Sequence, residues 1–142
     1  LFTELKEKIE DKVRSLNLED KVIFYGLCNE IHNILQASDI FVFPSHYEGL
    51  PVVGIEVQAA ALMAVASDAI SNEIKITHYW KSASLDSPPE EWAKIILKYK
   101  DGYSRKDTSE DIIKSGFSAR AISRNLENLY MNADNNQKSG NK

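Results

Sequence analysis

The sequence predicts an α/β fold, a parallel sheet with helices on both faces. Two observations carry this. Apolar runs such as Ile40-Phe41-Val42-Phe43 are β-branched and aromatic without polar alternation, the pattern of a strand buried on both faces. These runs alternate with stretches whose apolar residues recur at helical spacing. The 142 residues suffice for one domain with a sizeable core, and 43% apolar with 27% charged residues fits a soluble globular chain.

Taken in order, Phe2, Leu5, Ile9, Val13 and Leu16 predict a surface helix with one core-facing stripe. Asn17-Leu18-Glu19-Asp20 is its turn. Val22-Ile23-Phe24-Tyr25 reads as a short buried strand stopped by Gly26. A short helix with Ile31, Ile34 and Leu35 follows, with Asn29 as its expected N-cap. Strand 40–43 leads into a loop marked by Pro44, Gly49 and Pro51, and a helix over about 53–62 starts near Gly54. Ala64-Val65-Ala66 is the next strand, and loop 69–73 lies at its carboxyl end. Residues 74–86 divide into short strand or turn pieces.

Ser87-Pro88-Pro89-Glu90 predicts a helix start with a serine cap, prolines in the first turn and a capping-box glutamate. Trp92, Ile95, Ile96 and Tyr99 form its apolar stripe, which such spacing makes core rather than ligand surface. Gly102 ends that helix, Gly116 closes a short one with Ile112 and Ile113, and Ser118 caps a last helix carrying Ile122, Leu126, Leu129 and Tyr130. Residues 1–131 are expected to form the domain. Residues 132–142 contain almost nothing to bury and are expected to be a disordered polar tail.

Composition excludes several classes. The net charge is −4 and Lys and Arg form no run longer than two, which argues against nucleic acid as a partner. No apolar run approaches a membrane span and no secretory signal is visible. Cys28 is the single cysteine, so no internal disulfide forms, and a cytoplasmic setting fits. The three histidines have no metal-ligand spacing with Cys28, and no cofactor is implied. The chain opens at Leu1 inside an amphipathic pattern and reads as a piece of a longer protein.

The chemistry concentrates in Pro44-Ser45-His46-Tyr47-Glu48-Gly49-Leu50-Pro51-Val52-Val53-Gly54-Ile55-Glu56. In an open α/β sheet, ligands bind at the carboxyl ends of strands. Free N–H groups at a helix start favour an anion such as a diphosphate. A carboxylate there repels phosphate, but it accepts two hydrogen bonds at once and suits vicinal hydroxyls. Glu48 and Glu56, with seven residues between them, therefore suit a ligand with polyol groups on both sides of a diphosphate. A nucleotide sugar has that layout.

This stretch resembles the donor-site signature of the retaining glycosyltransferases of family 4, which have the GT-B fold of two Rossmann-like domains. Pro44-Ser45, Glu48-Gly49 and Glu56 carry the resemblance. Val22-Ile23-Phe24-Tyr25-Gly26, Ala37-Ser38-Asp39-Ile40 and Ala66-Ser67-Asp68 extend it over residues 1–131. Ser84-Leu85-Asp86 and Trp92 resemble capsular and exopolysaccharide members. The resemblance implies a Rossmann-like sheet, the C-terminal half of a GT-B fold truncated at its N-terminal edge. The acceptor domain and the family's basic residues for the donor diphosphate would lie upstream, so the chain alone is expected to bind nucleotide weakly and transfer nothing. It further implies a UDP-sugar donor, a lipid-linked or glycan acceptor at the inner membrane face, and no metal.

By the same resemblance, Glu56 takes the ribose hydroxyls and Glu48 sits nearer the donor sugar, where it positions the sugar and stabilises positive charge in the transition state. Alone, Glu56 near a helix start would only complement the helix dipole. Gly49 is a turn residue or a point of close backbone approach. Leu50, Pro51 and Val52 would offer backbone contacts to sugar and phosphate. Ser45 and His46 lie beside the site; His46 is a ligand contact or a loop residue packed on Tyr47. Gly26 and Leu27 line a base pocket or simply end a strand. Two departures stand out. Ala61-Leu62-Met63 replaces the usual Gly-Leu-Pro, placing a Cβ where a left-handed helix cap is common. Loop 69–73 also lacks glycine. The rival functions are a GT-B-type nucleotide-sugar epimerase and a non-catalytic, flavodoxin-like binding module.

Overall fold

A computed structural model describes the backbone of residues 2–139 and the side chains of residues 4–131. The chain forms two compact units, one up to Ile31 and one from His32 onward.

The first unit holds α1 (Phe2–Ser15) and an extended segment. Helix α1 ends with Asn17 in the left-handed region (φ 53°), where Leu18 N–H reaches the Val13 carbonyl and Asn17 N–H that of Arg14. Asparagine tolerates that conformation. Residues 22–25 are not the buried strand that their composition predicts. They pair with no strand among the described residues, and Ile23 is 86% exposed. A strand is stable only when its N–H and C=O groups are paired, and local composition supplies no partner. The stripe on α1 is likewise open, since Leu5, Ile9 and Leu16 are exposed. So short a unit has too little chain to enclose a core.

The second unit is the α/β fold. Its sheet comprises β1 (Ile40–Phe43), β2 (Met63–Ser67) and β3 (Trp80–Ala83), in that order and all parallel. Ile40 pairs with Met63 and Phe43 with Ala66, while Ala64 pairs with Trp80 and Ser67 with Ala83. Helix α2 (Ile31–Ala37) precedes β1, and α3 (Val52–Ala59) links β1 to β2. A single 3₁₀ turn (Asn72–Ile74) lies between β2 and β3. Then come α4 (Pro89–Leu97), α5 (Ser109–Lys114) and α6 (Ala119–Ser139). Helix α6 continues past residue 131, through much of the segment expected to be disordered; residues 140–142 lie outside the described residues.

Central strand β2 is buried at every position. Ala64 and Ala66 pack with Val57, Leu62, Ile70, Ile74 and Trp80. Val65 packs instead with Ala83 and Trp92, against which Ile95 and Ile96 of α4 lie. The alternation follows from the two-residue period of a strand, and it places helices on both faces as predicted. Fully burying a side chain such as Leu62 stabilises the fold by about 1.5–3 kcal/mol. The stripe of α4 is core as expected, and Trp92 Nε1 donates to the Ser84 carbonyl at 2.9 Å.

The amino-terminal edge of the sheet is clasped by the segment after α4. The Tyr103 hydroxyl accepts from Met63 N–H at 2.6 Å and donates to the Asp39 carbonyl at 3.0 Å. Arg105 donates to the carbonyls of Gln36 and Ser38 behind α2. The opposite, carboxyl edge carries the loops that follow each strand.

Two predicted helix details differ. Helix α2 starts at Ile31, so Glu30 rather than Asn29 precedes it. Helix α4 has Pro88 at its N-cap and no side-chain cap bond, so Ser87 does not cap it. Adjacent prolines fix the entry and shift the start by one residue. Helix α6 does have the predicted cap, with Ser118 Oγ accepting from Ala121 N–H at 3.1 Å.

Candidate functional site

The motif forms the loop between β1 and α3. Pro51 sets the geometry: at φ −74° and ψ 103° it is the N-cap, and the helix begins at Val52 directly behind it. Glu56 is therefore the fifth helical residue, one position further from the helix start than a helix beginning at residue 53 would place it. Proline at the cap explains the shift, because it cannot continue a helix backwards through its missing N–H. The helix-start N–H groups left for an anion are those of Val52 and Val53, since Gly54 N–H already reaches the Pro51 carbonyl at 2.9 Å.

Ser45 and Glu48 are brought together. Ser45 Oγ lies 2.8 Å from Glu48 Oε1 and 3.2 Å from the Tyr47 carbonyl, so its proton goes to one or the other. Glu48 is half-buried and its carboxylate is held at the mouth of β1. Glu56 is exposed and its carboxylate makes no hydrogen bond or ion pair among the described residues. His46 is exposed and has no ring contact with Tyr47. Leu50 and Val52 are exposed, whereas Pro51 is buried. A Cβ at Gly49 would meet nothing within 4 Å, and its φ lies outside the left-handed region. Nothing among the described residues therefore requires glycine there, and the space beside it is open.

Gly26 and Leu27 belong to the first unit. There they line an apolar groove of about 540 Å³ with Leu5, Ile9, Ile23 and Phe24. Gly26 has φ 74°, which fits a chain-stopping turn, and Leu27 is fully exposed. Among the described residues, no group of three or more His, Cys, Asp or Glu side chains has metal-binding geometry.

Two residues behind the site have packing roles that the sequence did not show: Gly54, read there only as the helix start, and Gln58. A Cβ at Gly54 would lie 3.1 Å from Ile74 Cγ1 and 3.1 Å from Trp80 Cζ3, so any side chain there would require these neighbours to shift by a few tenths of an ångström. Gln58 is fully buried in an otherwise apolar stretch. Its amide nitrogen donates to the carbonyls of Gly54 (2.9 Å) and Ile74 (2.7 Å). Its oxygen accepts from the N–H groups of Ile76 (3.0 Å) and Thr77 (2.9 Å) and from the Thr77 hydroxyl (3.2 Å). Thr108 Oγ1 in turn donates to the Gln58 carbonyl at 2.8 Å, linking the start of α5 to α3.

The domain is thus a parallel α/β sheet with a Ser–Glu pair at the carboxyl end of β1 and a second, exposed glutamate behind the helix start at Pro51. The family profile described as "Glycosyl transferases group 1" matches residues 3–119, and the chain belongs to that family. It is 33% identical over 126 residues to the putative glycosyltransferase EpsF of Bacillus subtilis, covering 87% of this chain and 33% of that protein. It is 32% identical over 120 residues to the capsular polysaccharide biosynthesis glycosyltransferase CapH of Staphylococcus aureus, covering 83% of this chain and 32% of the relative. A shorter match, 40% over 57 residues (40% of this chain and 15% of the relative), is to the UDP-Gal:alpha-D-GlcNAc-diphosphoundecaprenol alpha-1,3-galactosyltransferase of Escherichia coli. The chain thus spans about a third or less of these relatives. No solved structure matches. Among the described residues, no helix is long and apolar enough to cross a membrane.

Proposed function

We propose that this chain is the donor-binding part of a retaining, family 4 glycosyltransferase that moves a sugar from a UDP-sugar to a polysaccharide-precursor acceptor. The observation that carries the reading is the placement of Glu48 and Glu56 around the proline-capped start of α3, at the carboxyl end of β1. The N–H groups of Val52 and Val53 meet the diphosphate. Glu56, without a partner among the described residues, accepts from the ribose hydroxyls. Ser45 aims Glu48 at the donor sugar, where a carboxylate stabilises the positive charge that develops on the ring. Leu50 and the open space at Gly49 admit the sugar and diphosphate. Ser45 and His46 form the near wall. No metal is needed, because helix-start N–H groups and basic residues carry the diphosphate charge. The names of EpsF, CapH and the galactosyltransferase support capsular or exopolysaccharide assembly on a lipid-linked acceptor. That chemistry takes place in the cytoplasm, at the inner membrane face.

Titrating the protein with UDP, GDP and ADP, alongside Glu56→Ala, tests the reading. UDP binding selectively over GDP and ADP, and weakened in the variant, is the expected result. Binding that survives Glu56→Ala unchanged would sink the ribose assignment.

A further inference from the structure

We propose that Gln58 is a positioning residue for the donor site, holding loop 69–73 against the helix that carries Glu56. The inference rests on the donor-site reading above and assigns that site a second wall.

The connection between β2 and β3 contains only the 3₁₀ turn Asn72–Ile74. It has no long helix to dock it; Ile70 and Ile74 seat it in the core, and side-chain hydrogen bonds fix its exit. Loop 69–73 leaves the carboxyl end of β2 and, because the strands are parallel, lies on the same edge as loop 44–51. Ile74, which ends the turn, and Ile76 and Thr77 just after it are all bonded to the side-chain amide of Gln58. The amide also bonds to the Gly54 carbonyl, one helical turn before it and beside the helix start. One buried group thus connects the first turn of α3 with the exit of the loop. Its donor and acceptor capacity is used fully, which is the condition under which a buried polar group specifies one arrangement. The missing side chain of Gly54 lets Ile74 and Trp80 seat against the same turn. Thr77 continues the chain of bonds, its Oγ1 accepting from Tyr79 N–H at 3.2 Å just before β3.

The geometry gives the latch a functional direction. Gln58 faces inward, while Glu56, two residues earlier, faces solvent. Releasing Gln58 leaves Glu56 chemically intact but frees the opposing wall to move. A residue of this kind sets how closely the site closes around its ligand, not which group it touches.

The test uses UDP as the probe with Gln58→Leu, Thr77→Val and Glu56→Ala in the purified protein. Amide hydrogen exchange at Thr77 is compared with that at Val65 in β2, so that general destabilisation is separated from release of the loop. In Gln58→Leu, exchange at Thr77 is expected to rise about tenfold more than at Val65, with UDP affinity about tenfold weaker. Thr77→Val, which keeps the amide and removes one hydroxyl, is expected to show a smaller loss of both and decides the matter if Gln58→Leu does not fold. Faster exchange with unchanged UDP affinity would make Gln58 a structural residue only and overturn the inference. Unchanged relative exchange would show that no latch exists. If the unmodified protein binds no UDP, or Glu56→Ala binds it normally, the donor-site reading falls and this inference with it.

Discussion

Helix α3 has two faces that obey different rules. Val52, Glu56 and Ala59 lie outward and are exposed; Gly54, Val57 and Gln58 lie inward and are buried. Both sets follow helical spacing. The inner face is determined by what the chain itself packs there, down to a glycine that admits a tryptophan ring and a glutamine whose hydrogen bonds are all used. The outer face meets nothing that accounts for its glutamate. Substitutions on the inner face should therefore cost stability, with binding lost as well at Gln58, and those on the outer face should cost binding alone.

The largest expected effect is on the outer face. Replacing Glu56 with alanine removes hydrogen bonds to a charged group, which are worth about 1.5–3 kcal/mol, so UDP affinity should fall by about ten- to a hundredfold at unchanged melting temperature. Isothermal calorimetry paired with a melting curve reads both. A variant that unfolded instead would erase the distinction between the faces.

On the inner face, Gly54→Ala gains about 1 kcal/mol of helix propensity, but overpacking against Ile74 and Trp80 costs about 1–3 kcal/mol. A net loss of about 1 kcal/mol in urea unfolding is expected. A more stable variant would mean that Trp80 yields easily, and the inner face would be less rigid than its packing implies.

The end of α3 offers a finer comparison. Ala61 has φ 50°, with Leu62 N–H on the Val57 carbonyl and Ala61 N–H on that of Gln58. This is the same cap that Asn17 forms behind α1. The alanine that replaces glycine does not change the geometry; it adopts the left-handed conformation at a cost of about 1–2 kcal/mol. Against the lost methyl burial and the added freedom of the unfolded chain, Ala61→Gly should raise stability by about 0.5 kcal/mol. The same replacement at Asn17 should gain less, and denaturation curves of the pair would show whether it does.

The smallest effect lies away from α3. The Asp107 carboxylate accepts from the Ser109 hydroxyl (2.5 Å) and from its N–H (2.9 Å), which together hold its pKa below the ordinary 3.8. A lowered folded-state value adds stability above the unfolded pKa, and that contribution is lost as pH falls through the folded one. An NMR titration of the carboxyl carbon should find a midpoint below 3.8, and Ser109→Ala should move it upward.

Strands β1 and β2, helix α4 and the caps at Gly116 and Ser118 were legible because local residues encode them. An uninterrupted apolar run, a helical stripe or a glycine acts within a few positions. Residues 22–25 were misread for the complementary reason: their composition suits a strand, but pairing depends on a partner remote in the chain. Glu48 and Glu56 were recognisable from type and spacing, whereas their unequal surroundings were not. Ser45 bonds to one, and nothing among the described residues bonds to the other. Gln58 gave no signal at all, since a polar residue in a helix ordinarily reads as surface.

The sequence by itself determined the α/β class, the motif and the family, because these reside in residue types and their order along the chain. Only the tertiary structure decided that Pro51 starts the helix ahead of Glu56, that Ala61 keeps the left-handed cap, and that Gln58 is buried. Gln58 meets partners 16 and 19 residues further along the chain. Such contacts exist only after the sheet has brought β2 and β3 together, and no pattern of local spacing encodes them.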